Sequence, residues 1–548
     1  MKANKWYFGL FIILITGGLI RLINLDKSGG LWYDEITIYS IASAKGFWGM
    51  LNVDSHRFLL FPLYYIIYHL WLIIFGNSDI AIRFMSCFFD IASLVCTFFV
   101  GKELAKNCVC EENKTGLIYM GLYGINSLTI YYAQEAKFYS LSLLFVNLIV
   151  LFWLKYIKNQ STKHFTLFYF ANLALILAYT SQCLFVMLLY IATIIYFLKS
   201  KIKLPVKQVI IFPSVFIPVI IFALIIPQYF SGNFDAVSVD LSFILLIIQN
   251  FFSPVLNSLQ NNINNYGSIF IANIFKMPFL IFVLFPITYM LYSLFKSLKK
   301  KSASNYLLIV GLSYIFIHLL LTYTTNYNVL VRYCIPVLPV FLMVCSTGIS
   351  RQKKLTAFFI YILVCLIVLI SPYSATKIAR PDGYKQLGEL LKNNNIPQSA
   401  DFILPIRTNL LDKYYYIDGN RYSLYTLNNE DFQTTYLTEN EINDLKSNKY
   451  NAYKRYFQSN NISKAFENLV CENFVKNKII VLITDKTISM YNDEQLKIIA
   501  GSNKYENFPL QFLRLSKLNN DLVSVLKKHS KQTDIIENNS WAIYVFNN

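Results

Sequence analysis

Apolar runs of about twenty residues recur along the first two thirds of this sequence. A helix of that length crosses roughly 30 Å of hydrocarbon, so the runs predict a polytopic α-helical membrane protein. The composition agrees, because 55% of the 548 residues are hydrophobic and only 15% are charged, against roughly 25% charged in an average soluble domain. A single soluble domain is therefore excluded, and so is a disordered chain, which requires a polar composition.

The formal net charge of +18 raises the question of a nucleic-acid partner. Residues 1–374 hold 27 basic and 12 acidic residues, whereas residues 375–548 hold 22 and 19. The basic excess therefore lies in the apolar part of the chain, in short clusters between the runs. This pattern is typical of cytoplasmic loops that anchor membrane spans and not of a basic nucleic-acid groove. We expect membrane lipid and no nucleic acid as partners.

The basic clusters also indicate how the run 58–75 lies. If this run is an interfacial helix on the outer face, 19 of the 27 basic residues fall on the side of Lys2 and Lys5. If it spans, 17 of them move outside, against the positive-inside rule. We therefore predict eleven spans, a cytoplasmic N-terminus and an interfacial helix at 58–75. The alternative is that 58–75 spans and a later run does not. The predicted spans are 6–22, 80–101, 116–133, 138–154, 165–180, 182–198, 208–230, 277–295, 305–323, 333–349 and 355–372.

The sequence predicts two domains, a transmembrane domain at 1–374 and an extracytoplasmic soluble α/β domain at 375–548. The second has short apolar runs that predict strands, separated by helical stretches. The predicted strands are Asp401–Ile406, Lys478–Thr484 and Trp541–Phe546, and the helical stretches lie near 383–393, 436–447 and 507–528. Neither a Walker-type loop nor a G-x-G-x-x-G loop occurs in this domain, so the sequence offers no nucleotide-phosphate site there.

Two adjacent carboxylates, Asp34 and Glu35, follow the first span beside Trp32 and Tyr33. Such a pair can hold a divalent cation or act as a base toward a hydroxyl group. Burial against the two aromatic rings would raise a carboxyl pKa toward a useful range. The alternative is an acidic turn that caps a helix beginning near Ile36.

A second polar group, Glu135-Ala136-Lys137-Phe138-Tyr139, lies between two predicted spans. On a helix starting here, Glu135 and Tyr139 would be i and i+4 and would share a face. Ionisable residues at this depth indicate function, although an ordinary polar turn with Lys137 reaching to the interface is the alternative. The predicted topology places Glu135 on the same outer side as Asp34.

Cationic residues stand at two further places on the predicted outer side. His56 and Arg57 lead into the aromatic run 58–75, and Arg332-Tyr333 opens a late span. A guanidinium at the membrane edge suits a lipid phosphate. The alternatives are an ordinary histidine and an arginine that only anchors the interface.

Four short motifs resemble a known family when taken in order. They are Asp34-Glu35, His56 with Phe61-Pro62-Leu63-Tyr64-Tyr65, Glu135-Ala136-Lys137-Phe138-Tyr139, and Arg332-Tyr333 with Pro336 and Pro339. The chain resembles, over about 1–372, the bacterial membrane glycosyltransferases of the GT-C fold, family 39/83 type. That group includes protein O-mannosyltransferases and the lipid A aminoarabinose transferase. The chain departs from the family pattern in two motifs. The second motif has one proline where the family has two, and four residues separate His56 from Phe61. The third motif has lysine where the family has arginine.

The resemblance implies a glycosyltransferase of the bacterial plasma membrane. It implies transfer of a sugar, with inversion, from a polyprenyl-phosphate donor to a glycan, lipid or protein acceptor on the outer face. Asp34 would be the base, with Glu35 and Glu135 orienting the reacting groups, and a divalent metal ion at Asp34 and Glu35 stays an open possibility. The predicted substrate-binding residues are His56, Arg57, Lys137, Tyr139, Arg332 and Tyr333, of which Lys137, Arg57 and Arg332 would stabilise the departing phosphate. The helix 58–75 would guide the lipid tail.

Two other classes of protein remain as alternatives. A glycan polymerase or ligase of another membrane fold also uses outer-face arginines, but its chemistry does not require the Asp34-Glu35 pair. A lipid-linked sugar flippase or transporter usually has broken helices and ionisable groups near the midplane. Here Asp90 is the single acidic residue well inside a run, and we expect it to stand alone.

Overall fold

A computed structural model of the chain describes most of residues 2–225 and 277–370 and part of the remainder. The described ranges are 2–23, 25–26, 30–108, 110–200, 202, 204–225, 248, 251, 277–298, 302–324, 331–352, 356–370, 384–404, 413–418, 421–423, 479–485, 522–537 and 541–547. The described α-helices are α1 Lys2–Leu22, α2 Tyr33–Ala42, α3 Gly46–Val53, α4 Ser55–Leu60, α5 Pro62–Phe75, α6 Asp79–Cys108, α7 Glu112–Ile125, α8 Ser127–Ala133, α9 Tyr139–Asn159, α10 Thr162–Ala178, α11 Cys183–Lys199, α12 Val206–Ile211, α13 Ile217–Ile225, α14 Met277–Ser297, α15 Ala303–Thr324, α16 Leu338–Ser350, α17 Thr356–Ile370 and α18 Tyr384–Asn393. Short 3-10 helices lie at Thr180–Gln182, Phe212–Phe216 and Val331–Val337.

Within the described residues, each apolar run that the sequence marked as a span lies largely in one helix or in consecutive helices. Six helical segments of the described residues are long and apolar enough to cross a membrane. They are Asp79–Cys108, Tyr139–Asn159, Thr180–Lys199, Val206–Ile225, Ala303–Leu321 and Arg332–Ser350. The predicted class, a largely helical membrane protein with a small sheet, is confirmed, while the count of eleven spans stays a prediction.

The run 58–75 does not form a single helix, so that part of the prediction is wrong. The chain breaks at Phe61, and Pro62 opens α5 at a position where its missing N–H costs nothing. The 14 residues of α5 extend about 21 Å at the usual helical rise. That length is short of roughly 30 Å of hydrocarbon, and the interfacial placement of this segment stays a prediction.

The run 116–133, which was predicted as one span, is divided between two helices. Helix α7 ends at Ile125, and Asn126 caps α8 because its Oδ1 accepts hydrogen bonds from the backbone N–H groups of Leu128 and Thr129 at 3.0 and 3.1 Å. An asparagine side chain in this position supplies the acceptor that the first turn lacks. The break directs the following residues into the turn at 134–138.

Helices α6 and α7 pack closely because glycines face each other. A Cβ on Gly101 would lie 2.8 Å from the Cα of Gly116, and a Cβ on Gly116 would lie 2.7 Å from the carbonyl oxygen of Phe98. Small residues allow helix backbones to approach in this way inside membranes. The close pair brings the middle of α6, including Asp90, against α7.

The chain divides into two compact units. The first comprises Met1–Asp26 and Ile38–Ile378, and the second comprises Lys27–Thr37 and Ala379–Asn548. The segment Lys27–Thr37, which carries Asp34 and Glu35, thus groups with the C-terminal part of the chain. The predicted domain boundary at residue 374 does not include this grouping, because Lys27–Thr37 lies far from the C-terminal part of the chain in sequence.

The second unit contains a five-stranded sheet in the order β2-β1-β3-β5-β4. The strands are β1 Asp401–Leu404, β2 Arg421–Ser423, β3 Ile480–Asp485, β4 Gln532–Glu537 and β5 Trp541–Asn547. Strands β1 and β2 are parallel, as are β1 and β3, whereas β5 pairs antiparallel with both β3 and β4. Strands β1, β3 and β5 coincide with the three predicted strands. The predicted helix at 436–447 lies outside the described residues, and of 507–528 the described part is helical.

Candidate functional site

The acidic pair opens a helix and does not precede one. Helix α2 begins at Tyr33, three residues before the expected start near Ile36, so Asp34 and Glu35 both lie in its first turn. The Oε2 atom of Glu35 accepts the backbone N–H of Trp32 at 3.2 Å. An acidic side chain that reaches back from the third helical position to the preceding N–H is half of a capping box. Glu35 therefore closes the first turn of α2.

The two carboxylates differ in how much of each side chain is exposed to solvent. Glu35 is only 1% exposed, whereas Asp34 is half-buried. Both lie at the N-terminus of α2, where the unpaired N–H groups favour negative charge. Of the pair, Asp34 is the more exposed carboxylate, and Glu35 caps the backbone that carries it.

A divalent cation at the acidic pair is not supported by the ligands present. Among the residues that the structure describes, no group of three or more His, Cys, Asp and Glu side chains is arranged to hold a metal ion. One oxygen of Glu35 is already an acceptor for Trp32. We therefore assign no metal-dependent step to this pair.

In the first unit, Glu135, Lys137 and Tyr139 are brought together by a turn and not by a helix. Helix α9 begins only at Tyr139, so the predicted i, i+4 relation of Glu135 and Tyr139 is wrong. The N–H of Lys137 donates to the carbonyl of Glu135 at 2.7 Å, and all three side chains are buried. Lys137 Nζ lies 5.6 Å from the ring centroid of Tyr139, a cation–π contact. Lys137 therefore points into this cluster and does not reach to the interface.

Arg332 joins the same cluster from the short 3-10 helix before α16. Its charge and that of Glu135 both act on the phenol of Tyr139. The guanidinium carbon lies 5.8 Å from the ring centroid of Tyr333, whose carbonyl accepts a hydrogen bond from Tyr314 at 3.0 Å. The structure thus gathers one carboxylate and two cations around Tyr139. We call Glu135, Lys137, Tyr139 and Arg332 the charged cluster.

Aromatic rings surround the charged cluster. Phe138 stacks on Phe61 with ring centroids 4.3 Å apart and lies equally close to Tyr179. Tyr139 in turn lies 4.4 Å from Tyr132. Phe61 is the residue at the α4–α5 break, so the aromatic segment 58–75 contacts the turn through this ring. Such packing excludes water and strengthens the electrostatic interactions of the charges beside it.

The turn that carries the cluster is fastened to α1 and α6. Gln134 Nε2 donates to the carbonyl oxygens of Arg21 and Ile23 at 3.2 and 2.6 Å. From α6, Ser86 Oγ donates to the carbonyl of Lys137 at 3.3 Å, and Cys87 Sγ lies 3.1 Å from that of Ala133. These contacts restrict where Glu135 and Lys137 can lie.

The expectation that Asp90 stands alone is wrong, because it forms a buried ion pair with Arg21. Tyr123 donates its hydroxyl to the other carboxylate oxygen at 2.6 Å. Arg21 also donates to the carbonyl of Gly124 at 2.9 Å and to Thr129 Oγ1 at 3.1 Å, on either side of the α7–α8 break. The signal in the sequence was an arginine inside one run and an aspartate inside the next, since charges within spans usually compensate one another.

The described part of the chain does not place the other two predicted cations, Arg57 and His56, in the charged cluster. Arg57 is about one third exposed and pairs with Asp54, at 3.5 Å between Nε and Oδ2, while Asp54 also caps α4. Arg57 therefore already has a carboxylate partner. His56 lies in α4, and its side chain is outside the part of the structure that is described.

Neither a protein-family profile nor a curated protein sequence matches this chain. Two solved structures of ArnT from Cupriavidus metallidurans do match by fold. The apo structure is 10% identical, covers 100% of this chain and 98% of that one, and has a TM-score of 0.53. The structure bound to undecaprenyl phosphate is 9% identical, with the same coverage and a TM-score of 0.51. This chain shares the fold of ArnT. The predicted GT-C type of fold is thereby confirmed, and identity at this level shows the fold alone.

Proposed function

We propose that this chain is a membrane glycosyltransferase that moves a sugar from a polyprenyl-phosphate donor to a hydroxyl group of an acceptor. The observation that carries the proposal is the charged cluster, in which Glu135 and Lys137 are buried among aromatic rings and the half-buried Arg332 supplies a second cation. It is supported by a fold shared over the whole chain with ArnT, one structure of which holds undecaprenyl phosphate. We place the reaction on the outer face of the membrane, as the charge distribution predicts. The family resemblance implies that this membrane is a bacterial plasma membrane.

The charged cluster suits the leaving group of such a reaction. When the bond between the anomeric carbon and the phosphate oxygen breaks, the electron pair stays on the lipid phosphate. Lys137 and Arg332 carry the opposite charge, and the apolar surroundings make their attraction stronger than it would be in water. Glu135 would accept hydrogen bonds from the sugar hydroxyls. Arg57, His56 and Tyr333 remain proposed contacts to the donor.

Asp34 is proposed as the base. It would take the proton of the acceptor hydroxyl as the hydroxyl oxygen attacks the anomeric carbon, on the side opposite the leaving phosphate, so that the configuration inverts. A new carbon–oxygen bond to the acceptor replaces the bond to the phosphate. Glu35 would act through the first turn of α2 by keeping Asp34 in place. The assignment of Asp34 and the charged cluster to one reaction rests on the predicted topology, which places both on the outer side.

The proposal is tested with purified protein, labelled polyprenyl-phosphate sugars and a panel of glycan, lipid and protein acceptors. We expect transfer of label by the wild-type protein and none by Asp34→Asn, which keeps the size of the side chain and removes the base. Asp418→Asn makes the same change at an exposed position of the second unit and should transfer normally. Normal transfer by folded Asp34→Asn would exclude Asp34 as the base. Absence of wild-type transfer from every donor would refute the proposed function.

A further inference from the structure

The loop before the acidic pair is held by a tyrosine from the C-terminal part of the chain. Within the second unit, the backbone N–H of Leu31 donates to the hydroxyl oxygen of Tyr414 at 2.8 Å. Leu31 is fully buried and Tyr414 is half-buried. A hydrogen bond from a buried N–H is costly to lose, because no water replaces the partner. Tyr414 therefore fixes the backbone three residues before Asp34.

Gly30 lets this contact form. Its φ of +72° is a left-handed conformation that side chains other than glycine rarely adopt. A Cβ at this position would lie 2.6 Å from the Cβ of Lys385 and 2.7 Å from the hydroxyl oxygen of Tyr414. On the other side, a Cβ on Gly388 of α18 would lie 2.7 Å from the Cβ of Tyr414. Tyr414 thus occupies a narrow slot between two glycines.

The contacts form a continuous path to the candidate base. Tyr414 holds Leu31, the next residue Trp32 donates its N–H to Glu35, and α2 begins at once with Asp34 in its first turn. Each hydrogen bond along this path restrains backbone and not only side chains. A small displacement of Leu31 would therefore turn the start of α2 and with it the Asp34 carboxylate.

We propose that Tyr414 is a positioning residue for the transfer reaction, so that the C-terminal unit takes part in catalysis by holding the loop that carries Asp34. This inference rests on the proposed function. The hydroxyl of Tyr414 does not act on the substrate, and its effect passes through Leu31 and the first turn of α2. Catalysis is sensitive to displacements of this kind, because a misplaced base loses rate without losing its chemistry.

The test compares Tyr414→Phe, which removes one hydroxyl, with Tyr416→Phe, which makes the same change at an exposed position of the same loop. Loss of one neutral hydrogen bond that positions the base should lower kcat by roughly twofold to tenfold. We expect this fall for Tyr414→Phe, with KM for donor and acceptor unchanged, and wild-type values for Tyr416→Phe. Gly30→Ala should lower kcat further, because it disturbs both the backbone and the slot.

Hydrogen exchange at the Leu31 amide gives a second measurement that does not depend on activity. We expect faster exchange of this amide in Tyr414→Phe than in the wild type and Tyr416→Phe. Faster exchange with a wild-type kcat would overturn the inference, and so would unchanged exchange, or an equal loss of kcat in both variants. A wild-type protein that transfers no sugar would refute the proposed function instead, while the exchange comparison would still show whether Tyr414 holds the loop.

Discussion

Replacing Asp90 with leucine should be among the most destabilising single changes in the first unit. Arg21 and Asp90 are both fully buried, and they lie on α1 and α6. The replacement leaves the guanidinium of Arg21 charged and unpaired by a carboxylate inside the membrane domain. Removing one partner of a buried ion pair typically costs about 3–5 kcal/mol, mostly because the other charge stays buried.

The hydrogen bonds of Asp90 lead to a similar estimate of the free energy of unfolding that the replacement would lose. Its carboxylate accepts two hydrogen bonds, one from Arg21 Nε and one from Tyr123 at 2.6 Å. Hydrogen bonds to charged groups contribute about 1.5–3 kcal/mol each, so losing both costs roughly 3–6 kcal/mol. Hydrogen bonds between helices inside membranes are weaker on average, about 0.6 kcal/mol. We therefore expect a loss of about 3–4 kcal/mol, toward the lower end of the range.

A double-mutant cycle separates the charge effect from the loss of packing. Arg21→Met with Asp90→Leu removes both charges and should recover at least half of the stability that Asp90→Leu alone loses. Stability is measured by reversible denaturation of the purified protein in mixed micelles. Asp79→Leu, at the half-exposed start of the same helix, should cost no more than about 1 kcal/mol. A loss below 1 kcal/mol for Asp90→Leu, or a double variant as unstable as the single one, would refute the reasoning.

Three further predictions concern Arg332, the membrane topology and the Cys110 thiol. Arg332→Gln should lower kcat for sugar transfer by about tenfold to a hundredfold, because one of the two cations of the charged cluster is lost, and wild-type kinetics would remove Arg332 from the mechanism. In a cysteine-free background, an impermeant maleimide added outside intact cells should label Asn77→Cys and not Lys158→Cys, both at exposed positions, and the reverse pattern would overturn the predicted topology. Burial raises the pKa of the Cys110 thiol, so its alkylation should be slower at pH 7.5 than that of an exposed thiol and should accelerate as the pH rises, since the thiolate reacts.

Local patterns in the sequence were enough to locate most of the long apolar helices. The apolar runs coincide with helices because the hydrophobicity of a span is a sum over neighbouring residues. The strands β1, β3 and β5 were located by the same kind of local pattern. The breaks at Phe61 and Asn126 had local signals too, a proline and a capping asparagine, but an average over twenty residues hides a single residue of this kind.

The neighbours of each charged residue were decided by the tertiary structure. Arg21 and Asp90 are 69 positions apart, and Leu31 and Tyr414 are 383 apart. The sequence nominated Glu135, Lys137 and Tyr139 within one motif and Arg332 far from it, and the tertiary structure brought Arg332 to the other three. Hydrophobicity draws a segment into the membrane whatever lies beside it, whereas a buried polar group is stable only beside the particular partner that the packing supplies. That difference explains why the apolar helices could be located from the sequence, whereas the partners of Asp90 and the position of Arg332 beside Tyr139 became known only from the fold.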